Sequence, residues 1–345
     1  MKVCLLGPVV TSSYYGGVAV FDEELAQGFI DNGWEVVLVT SQKDAVKKDI
    51  PLFIATKSEM SEFLNKENPD LIIASLAYAR LLPRKNLTKA AYFLHGFFLQ
   101  SYYGPLKSIL ASTYQKWLIR RFDYVFANSY FTAMINKEFF GIKADAVFQL
   151  GVSNEFLRNS EKCDEIAKIP NSILFAGRLV KAKGVEDLIK AVRILHRDGV
   201  PYTLYIAGDG PERKHIEQFA RENGLNIILL GRLDSREMIR WYKKTEVFVS
   251  LNPSEPFGIV FPEALISGCK IVCPLTGGQV EYLMDYKESV SFVKVNDEKS
   301  IAYGLKKMLE SGDSTTSIEN CKARFNYKRV ASEMIKYMGE KKNER

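Results

Sequence analysis

A chain of 345 residues exceeds what a single hydrophobic core usually organises, so two domains are expected. With 47% hydrophobic and 26% charged residues and no low-complexity tract, the composition excludes a disordered or fibrous protein. The formal charge of +6 is modest, and five cysteines without a CxxC pair argue against a disulfide framework or a zinc site and for a reducing compartment.

The opening MKVCLLGPVV is too short an apolar run for a signal peptide and reads as a strand, KVCLLG (2–7). A polar loop, TSSYYGGV (11–18), leads into the helical pattern VAVFDEELAQGFIDNG, with Gly33 as its stop. Gly16-Gly17 brings backbone N–H groups and a helix start to where an anion could sit, although the GxGxxG of a dinucleotide fingerprint is missing. Further strands are expected at 35–40, 51–55, 70–75, 90–96, 124–129 and 146–151. LIIASLAYARLL is interrupted by Arg80, and no stretch reaches the roughly 20 apolar residues of a membrane span. Residues 71–143 hold ten Lys or Arg against Asp123 and Glu138 alone. Within them, GPLKSILASTYQKWLIRRF (104–122) mixes cations, Trp and aliphatics at helical spacing, which suits an anionic membrane surface or a phosphate. No nucleic-acid-binding module accompanies the basic stretch, so no nucleic-acid partner is expected.

The polar segment NEFLRNSEKCDEIAKIPN (154–171) carries no strand pattern and reads as an interdomain connection. A second series of strands then starts, at 172–178, 202–210, 226–232, 247–251, 270–274 and 289–295. Continuous apolar strands joined by helices predict parallel sheets covered on both faces, with ligands beyond the carboxyl ends of the strands. The tail FNYKRVASEMIKYM (325–338) reads as a final amphipathic helix. The expected division is therefore 1–153, 154–171, 172–324 and 325–345.

The residues that carry chemistry fall at those strand ends. GRLVKAKG (177–184) places Arg178 and Lys183 five positions apart before a helix; a planar fork and a point charge together suit a diphosphate. SEPFGIVFPE (254–263) puts Glu255 and Glu263 at the two ends of an apolar, glycine-broken loop. Gly258 lets a backbone approach a ligand, Pro262 fits the first position of a helix ending at Gly268, and Glu263 falls in that helix's first turn. Of three histidines, His196 and His215 lie in helical patterns, whereas His95 closes the apolar strand AAYFLHG.

The series GGV, GRLVKAKG, AGDGPER, EPFGIVFPE and GGQVE resembles the retaining GT-B glycosyltransferases of family GT4, in order and spacing over nearly the whole chain. The resemblance implies two Rossmann-like α/β domains facing each other across a cleft, with the acceptor in the first, the nucleotide sugar in the second, and a closing helix packed back on the first. It implies that Gly17 offers its N–H to the donor phosphates and that Arg178 and Lys183 neutralise the diphosphate. Glu255 and the backbone of Phe257, Gly258, Ile259 and Val260 would hold donor sugar and phosphate, Glu263 the ribose hydroxyls, and Arg232 and Leu233 the base. His95 would face the donor sugar. The set expected to be catalytic is His95, Arg178, Lys183 and Glu255. Pro256, where the family often has glycine, and the lack of a glycine pair after GGQVE are departures from the pattern.

The function this implies is transfer, with retention, of a hexose-type sugar from a UDP- or GDP-linked donor to a saccharide or lipid-linked saccharide, in cell-surface polysaccharide or glycolipid synthesis. No Asp-x-Asp is present, so no metal or other cofactor is expected and Arg178 and Lys183 take the cation's place. The expected location is cytoplasmic, or peripheral on the inner face of the cell membrane. The alternatives are a soluble transferase acting on a sugar phosphate or small metabolite, a sugar-nucleotide epimerase of similar architecture, and a non-catalytic nucleotide-binding module.

Overall fold

The structure, a computed structural model, describes residues 1–11, 13–14, 16–46, 49–84, 88–98, 104–163, 165–312 and 316–343. The chain divides into two compact units, Met1–Ser153 with Arg324–Arg345, and Asn154–Ala323. Both are parallel α/β units, and each strand expected from the sequence is present.

In the first unit the strands are β1 (Lys2–Leu6), β2 (Glu35–Thr40), β3 (Leu52–Ile54), β4 (Leu71–Ser75), β5 (Ala90–Leu94), β6 (Tyr124–Ala127) and β7 (Ala146–Val147), ordered β3-β2-β1-β4-β5-β6-β7. Val3 of β1 stands opposite both Val36 and Leu71. Successive side chains of a strand point to opposite faces, and here both faces are covered. Val3 and Leu5 join Phe21 and Phe29 on one side, while Cys4 and Leu6 join Ile72 and Leu94 on the other. That double burial is why these strands read as unbroken apolar runs. The helix Gly17–Ile30 packs against the terminal helix Tyr327–Asn343, whose Val330, Ala331 and Met334 enter the same core. A Cβ on Gly28 would lie 2.2 Å from the Tyr327 carbonyl oxygen, so glycine is what allows the two helices to approach this closely.

The second unit holds β8 (Ser172–Ala176), β9 (Thr203–Ala207), β10 (Ile227–Gly231), β11 (Val247–Val249), β12 (Lys270–Pro274) and β13 (Val290–Val293), ordered β10-β9-β8-β11-β12-β13. In both units the order reverses beside the first strand, between β1 and β4 and between β8 and β11. Such a reversal opens a crevice at the carboxyl ends of the two strands.

Three expectations are corrected. Residues 154–171 are part of the second unit: helix Asn154–Glu161 buries Phe156 6.2 Å from Tyr242, and Lys168 Nζ donates to the Thr245 carbonyl at 2.6 Å. The helix expected to begin at Pro262 begins at Val260, because proline is also tolerated at the third position, where its missing N–H has no helical acceptor to lose. The strand expected at 146–151 pairs only through Ala146 and Val147. Ser12 and Tyr15 of the first glycine loop and Lys85 of the basic stretch lie outside the described residues. Among the described residues no helix is long and apolar enough to cross a membrane.

Candidate functional site

In the second unit Arg178 and Lys183 follow β8, and Glu255 follows β11, so both sides of the strand-order reversal contribute. The GRLVKAKG loop is fixed by its backbone. Gly177 N donates to the Ala207 carbonyl at 2.9 Å and Leu179 N to that of Asp209 at 3.0 Å. Leu179 is fully buried while Arg178, next to it, is exposed. The loop closes through a short 3-10 turn, Lys181–Lys183, directly into the helix Val185–Arg197.

Lys183 Nζ reaches Glu255 Oε2 at 3.2 Å, the two side chains being 31% and 19% exposed. Asn252 Nδ2 donates to the same oxygen at 2.7 Å. Gly278 N, from the GGQVE motif, donates to the Glu255 carbonyl at 2.8 Å. The following turn is locked from beneath: Tyr282 Oη donates to the carbonyls of Phe257 and Gly258, both at 2.9 Å, and its ring lies 4.9 Å from that of buried Phe257. Gly258 has φ +82°, where a side chain is strained, and a Cβ there would meet the Phe261 ring at 2.7 Å. With the carbonyls tied down, the N–H groups of Ile259 and Val260 open the helix Val260–Ile266 without an acceptor among the described residues.

Glu263 sits in that helix's first turn, half-buried, with Tyr242 Oη 3.4 Å from its Oε2. Desolvation pushes its carboxyl up to about 7, against the weak opposing effect of the Tyr242 hydrogen bond. Arg232 is exposed and Leu233 half-buried just after β10, before the capping box of Asp234 and Glu237.

In the first unit Gly17 is the first residue of its helix, and a Cβ there would meet nothing within 4 Å. His95, just past β5, lies against Phe21 and Phe93, with ring centroids at 4.7 and 4.9 Å. Its Nε2 is 2.9 Å from Ser75 Oγ, which donates to Asp22 Oδ1 at 2.7 Å. Burial holds the imidazole down at about 3, so the ring is neutral, and raises the Asp22 carboxyl well above its ordinary range. Asn128 Nδ2 and Asn136 Nδ2 fix the carbonyls of His95 and Gly96, each at 3.0 Å. Among the described residues no three His, Cys, Asp or Glu side chains are placed to hold a metal ion.

Each half of the chain matches a family model: glycosyl transferases group 1 over residues 158–324 and glycosyltransferase family 4 over residues 15–150. The chain belongs to the group 1 glycosyltransferases. An uncharacterized glycosyltransferase of Methanocaldococcus jannaschii is 29% identical over 196 residues, 54% of this chain and 50% of that one. A Campylobacter jejuni N-acetylgalactosamine-N,N'-diacetylbacillosaminyl-diphospho-undecaprenol 4-alpha-N-acetylgalactosaminyltransferase is 30% identical over 181 residues, 51% of this chain and 48% of that one. Sequence similarity thus spans about half the length of these relatives. The crystal structure of Anabaena HepE with UDP and glucose superimposes with a TM-score of 0.71 and 18% identity, covering 99% of this chain and 100% of that one, a likeness of fold.

In this group 1 glycosyltransferase the sequence motifs sort into residues that present groups and residues that hold the loops. Arg178, Lys183, Glu255 and Glu263 belong to the first kind. The AGDGPER and GGQVE segments belong to the second, packing their backbone under the 177–184 and 255–258 loops; a Cβ on Gly210, for instance, would lie 2.4 Å from the Leu179 carbonyl oxygen. Asp22, Ser75, Asn252, Tyr242 and Tyr282 were not singled out from the sequence. Asp22 had a legible signal, because it shares the apolar stripe of Val18, Phe21, Leu25 and Phe29. The others meet their partners across the fold and leave no local pattern.

Proposed function

We propose that this chain transfers a hexose-type sugar from a UDP- or GDP-linked donor to a saccharide or lipid-linked saccharide, with retention and without a metal ion, in the synthesis of a surface polysaccharide or glycolipid. The single observation that carries this reading is the Lys183–Glu255–Asn252 cluster at the β8/β11 reversal, with Arg178 on the same loop as Lys183 and Glu263 one helical start away. Two cations meet the diphosphate, and carboxylates accept hydrogen bonds from hydroxyls. A carboxylate packed against phosphate would repel it, so Glu255 addresses the sugar and Glu263 the ribose. Phe257 to Val260 offer backbone donors to sugar and phosphate, Gly17 offers its N–H to the phosphates, and Arg232 and Leu233 lie along the base.

In the reaction, the bond between the anomeric carbon and the diphosphate oxygen breaks and its electron pair leaves with the diphosphate. The acceptor hydroxyl oxygen forms the new bond on the same face, and its proton passes to the departing oxygen. Fixed cations aimed at the developing charge are the main source of acceleration such a site can supply. His95, neutral and oriented from behind by Ser75, serves as a hydrogen-bonding partner for the sugar rather than a cation. The structure of Anabaena HepE with UDP and glucose supports the donor class, and the Campylobacter jejuni relative, named for action on a diphospho-undecaprenol-linked saccharide, supports a lipid-linked acceptor.

The test is a panel of sugar nucleotides incubated with the protein, with nucleoside diphosphate release followed with and without a membrane extract and with chelator. The expected result is release from one UDP- or GDP-sugar that is stimulated by extract and unaffected by chelator. Epimer formation without an acceptor, or activity abolished by chelator and restored by magnesium, would overturn the proposal.

A further inference from the structure

The helix Pro105–Ile119 is inside out. Ser108, Ser112, Gln115 and Leu118 are its buried residues, while Leu106, Ile109, Leu110, Tyr114 and Trp117 are between 45% and 70% exposed. A helix lying on a sheet in water ordinarily does the reverse. The orientation is fixed by hydrogen bonds from two of the buried polar groups to partners outside the helix. Gln115 Nε2 donates to Tyr92 Oη at 3.2 Å and Ser108 Oγ to the Phe98 carbonyl, while Ser112 Oγ is satisfied within the helix by the Ile109 carbonyl at 3.0 Å. The exposed apolar positions recur at intervals of three and four, so they make one continuous stripe.

Where the stripe reaches Tyr114 and Trp117 it enters a pocket of about 570 Å³ that also takes in Ile54 and Leu81. Lys43, Lys57, Arg80 and Arg121 line the same pocket, and among the described residues its lining contains no carboxylate. None of the four forms an ion pair with a described residue. The Arg121 guanidinium stacks 4.4 Å from the Trp117 ring, which sets its fork at the edge of the apolar wall. Four like charges gathered without a counter-charge repel one another, and an anion among them removes that repulsion. A phosphate fits the charge, and the adjoining stripe fits a hydrocarbon chain attached to it.

We propose that the pocket and the stripe form a binding site for a phosphate-bearing lipid at a membrane surface, with its phosphate among Lys43, Lys57, Arg80 and Arg121 and its chain along the face from Leu106 to Trp117. This deepens, and rests on, the reading that the acceptor is lipid-borne. Its components all lie in the first unit, separate from the donor-binding loops of the second.

Co-sedimentation of the full chain with vesicles tests it. One set is neutral phosphatidylcholine, the other includes phosphatidylglycerol. The double variant Lys43→Ala/Lys57→Ala is compared with Lys137→Ala/Lys143→Ala, which removes two exposed lysines of the same unit outside the pocket. Each basic residue near an anionic surface changes affinity by about fivefold, so the pocket variant should lose roughly twentyfold and the control less than threefold. Leu106→Ser/Ile109→Ser should also weaken vesicle binding. Equal losses in the two lysine pairs would mean diffuse attraction and overturn the site. Binding of inorganic pyrophosphate as tight as that of vesicles would make it a free-phosphate site and overturn the lipid assignment. Self-association of the wild type that Leu106→Ser/Ile109→Ser abolishes would give the stripe to a second copy and overturn it too. A thermal unfolding curve unchanged in Lys43→Ala/Lys57→Ala shows that the variant is folded, and unchanged nucleoside diphosphate affinity separates failure here from failure of the donor reading.

Discussion

Replacing Glu263 by glutamine isolates the cost of charging one partly desolvated carboxyl. Burial moves the carboxyl from its ordinary 4.5 up to about 7. An acid that binds its proton more tightly when folded is stabilising in its protonated form. That contribution is complete below the unfolded value of 4.5 and is lost as pH rises through about 7. At 1.36 kcal/mol per pH unit, a difference of about 2.5 units amounts to about 3 kcal/mol, of which about 2.5 kcal/mol falls between pH 5 and pH 8. Glutamine has no such dependence. The stability of Glu263→Gln relative to wild type should therefore rise by about 2–3 kcal/mol over that range, or roughly 5–10 °C in Tm for a unit of this size. Scanning calorimetry of both proteins at pH 5, 6, 7 and 8 reads it directly. Curves of Tm against pH that run parallel for the two proteins would refute the reasoning.

Lys183→Ala strips Glu255 of its cation and removes one of the two charges assigned to the diphosphate, so titration calorimetry should show nucleoside diphosphate affinity falling at least tenfold, about 1.4 kcal/mol. Unchanged affinity would place the diphosphate elsewhere. Ser75→Ala takes the shared partner from His95 and from buried Asp22, and denaturant unfolding should register a loss of about 1–3 kcal/mol. A loss near zero would mean that the chain from Asp22 to His95 holds nothing in place. Gly28→Ala drives a Cβ into the Tyr327 carbonyl and should destabilise the first unit by about 1–3 kcal/mol while making the terminal helix more accessible to protease. A wild-type digestion pattern would contradict this packing.

The strands were legible because both faces of each parallel sheet are covered, so double burial writes itself as runs such as VCLL and LIIAS. The charged loop residues were legible because a strand end followed by Arg, Lys or Glu and then a glycine turn is a local pattern. Pro262 misplaced a helix start by two residues because its ring is compatible with more than one position in the first turn. The 154–171 segment looked like a connection because only Phe156 and Ser160 of its helix are buried, too few to outweigh its polar residues. Helix Pro105–Ile119 was legible as a helix, but which side it buries was not. Ordinary amphipathic reasoning turns the leucines inward, and the hydrogen bonds of Ser108 to Phe98 and Gln115 to Tyr92 reverse that. The support beneath the turn at Gly258 comes from Tyr282, 24 residues away in sequence, a pairing that no periodicity encodes.

A crystal structure of the protein with bound UDP or GDP tests the central claim most directly. The account predicts the diphosphate in contact with Arg178 and Lys183, the ribose hydroxyls on Glu263, and no metal ion required for occupancy. Clear density for the nucleotide away from Arg178, Lys183 and Glu263 would contradict it.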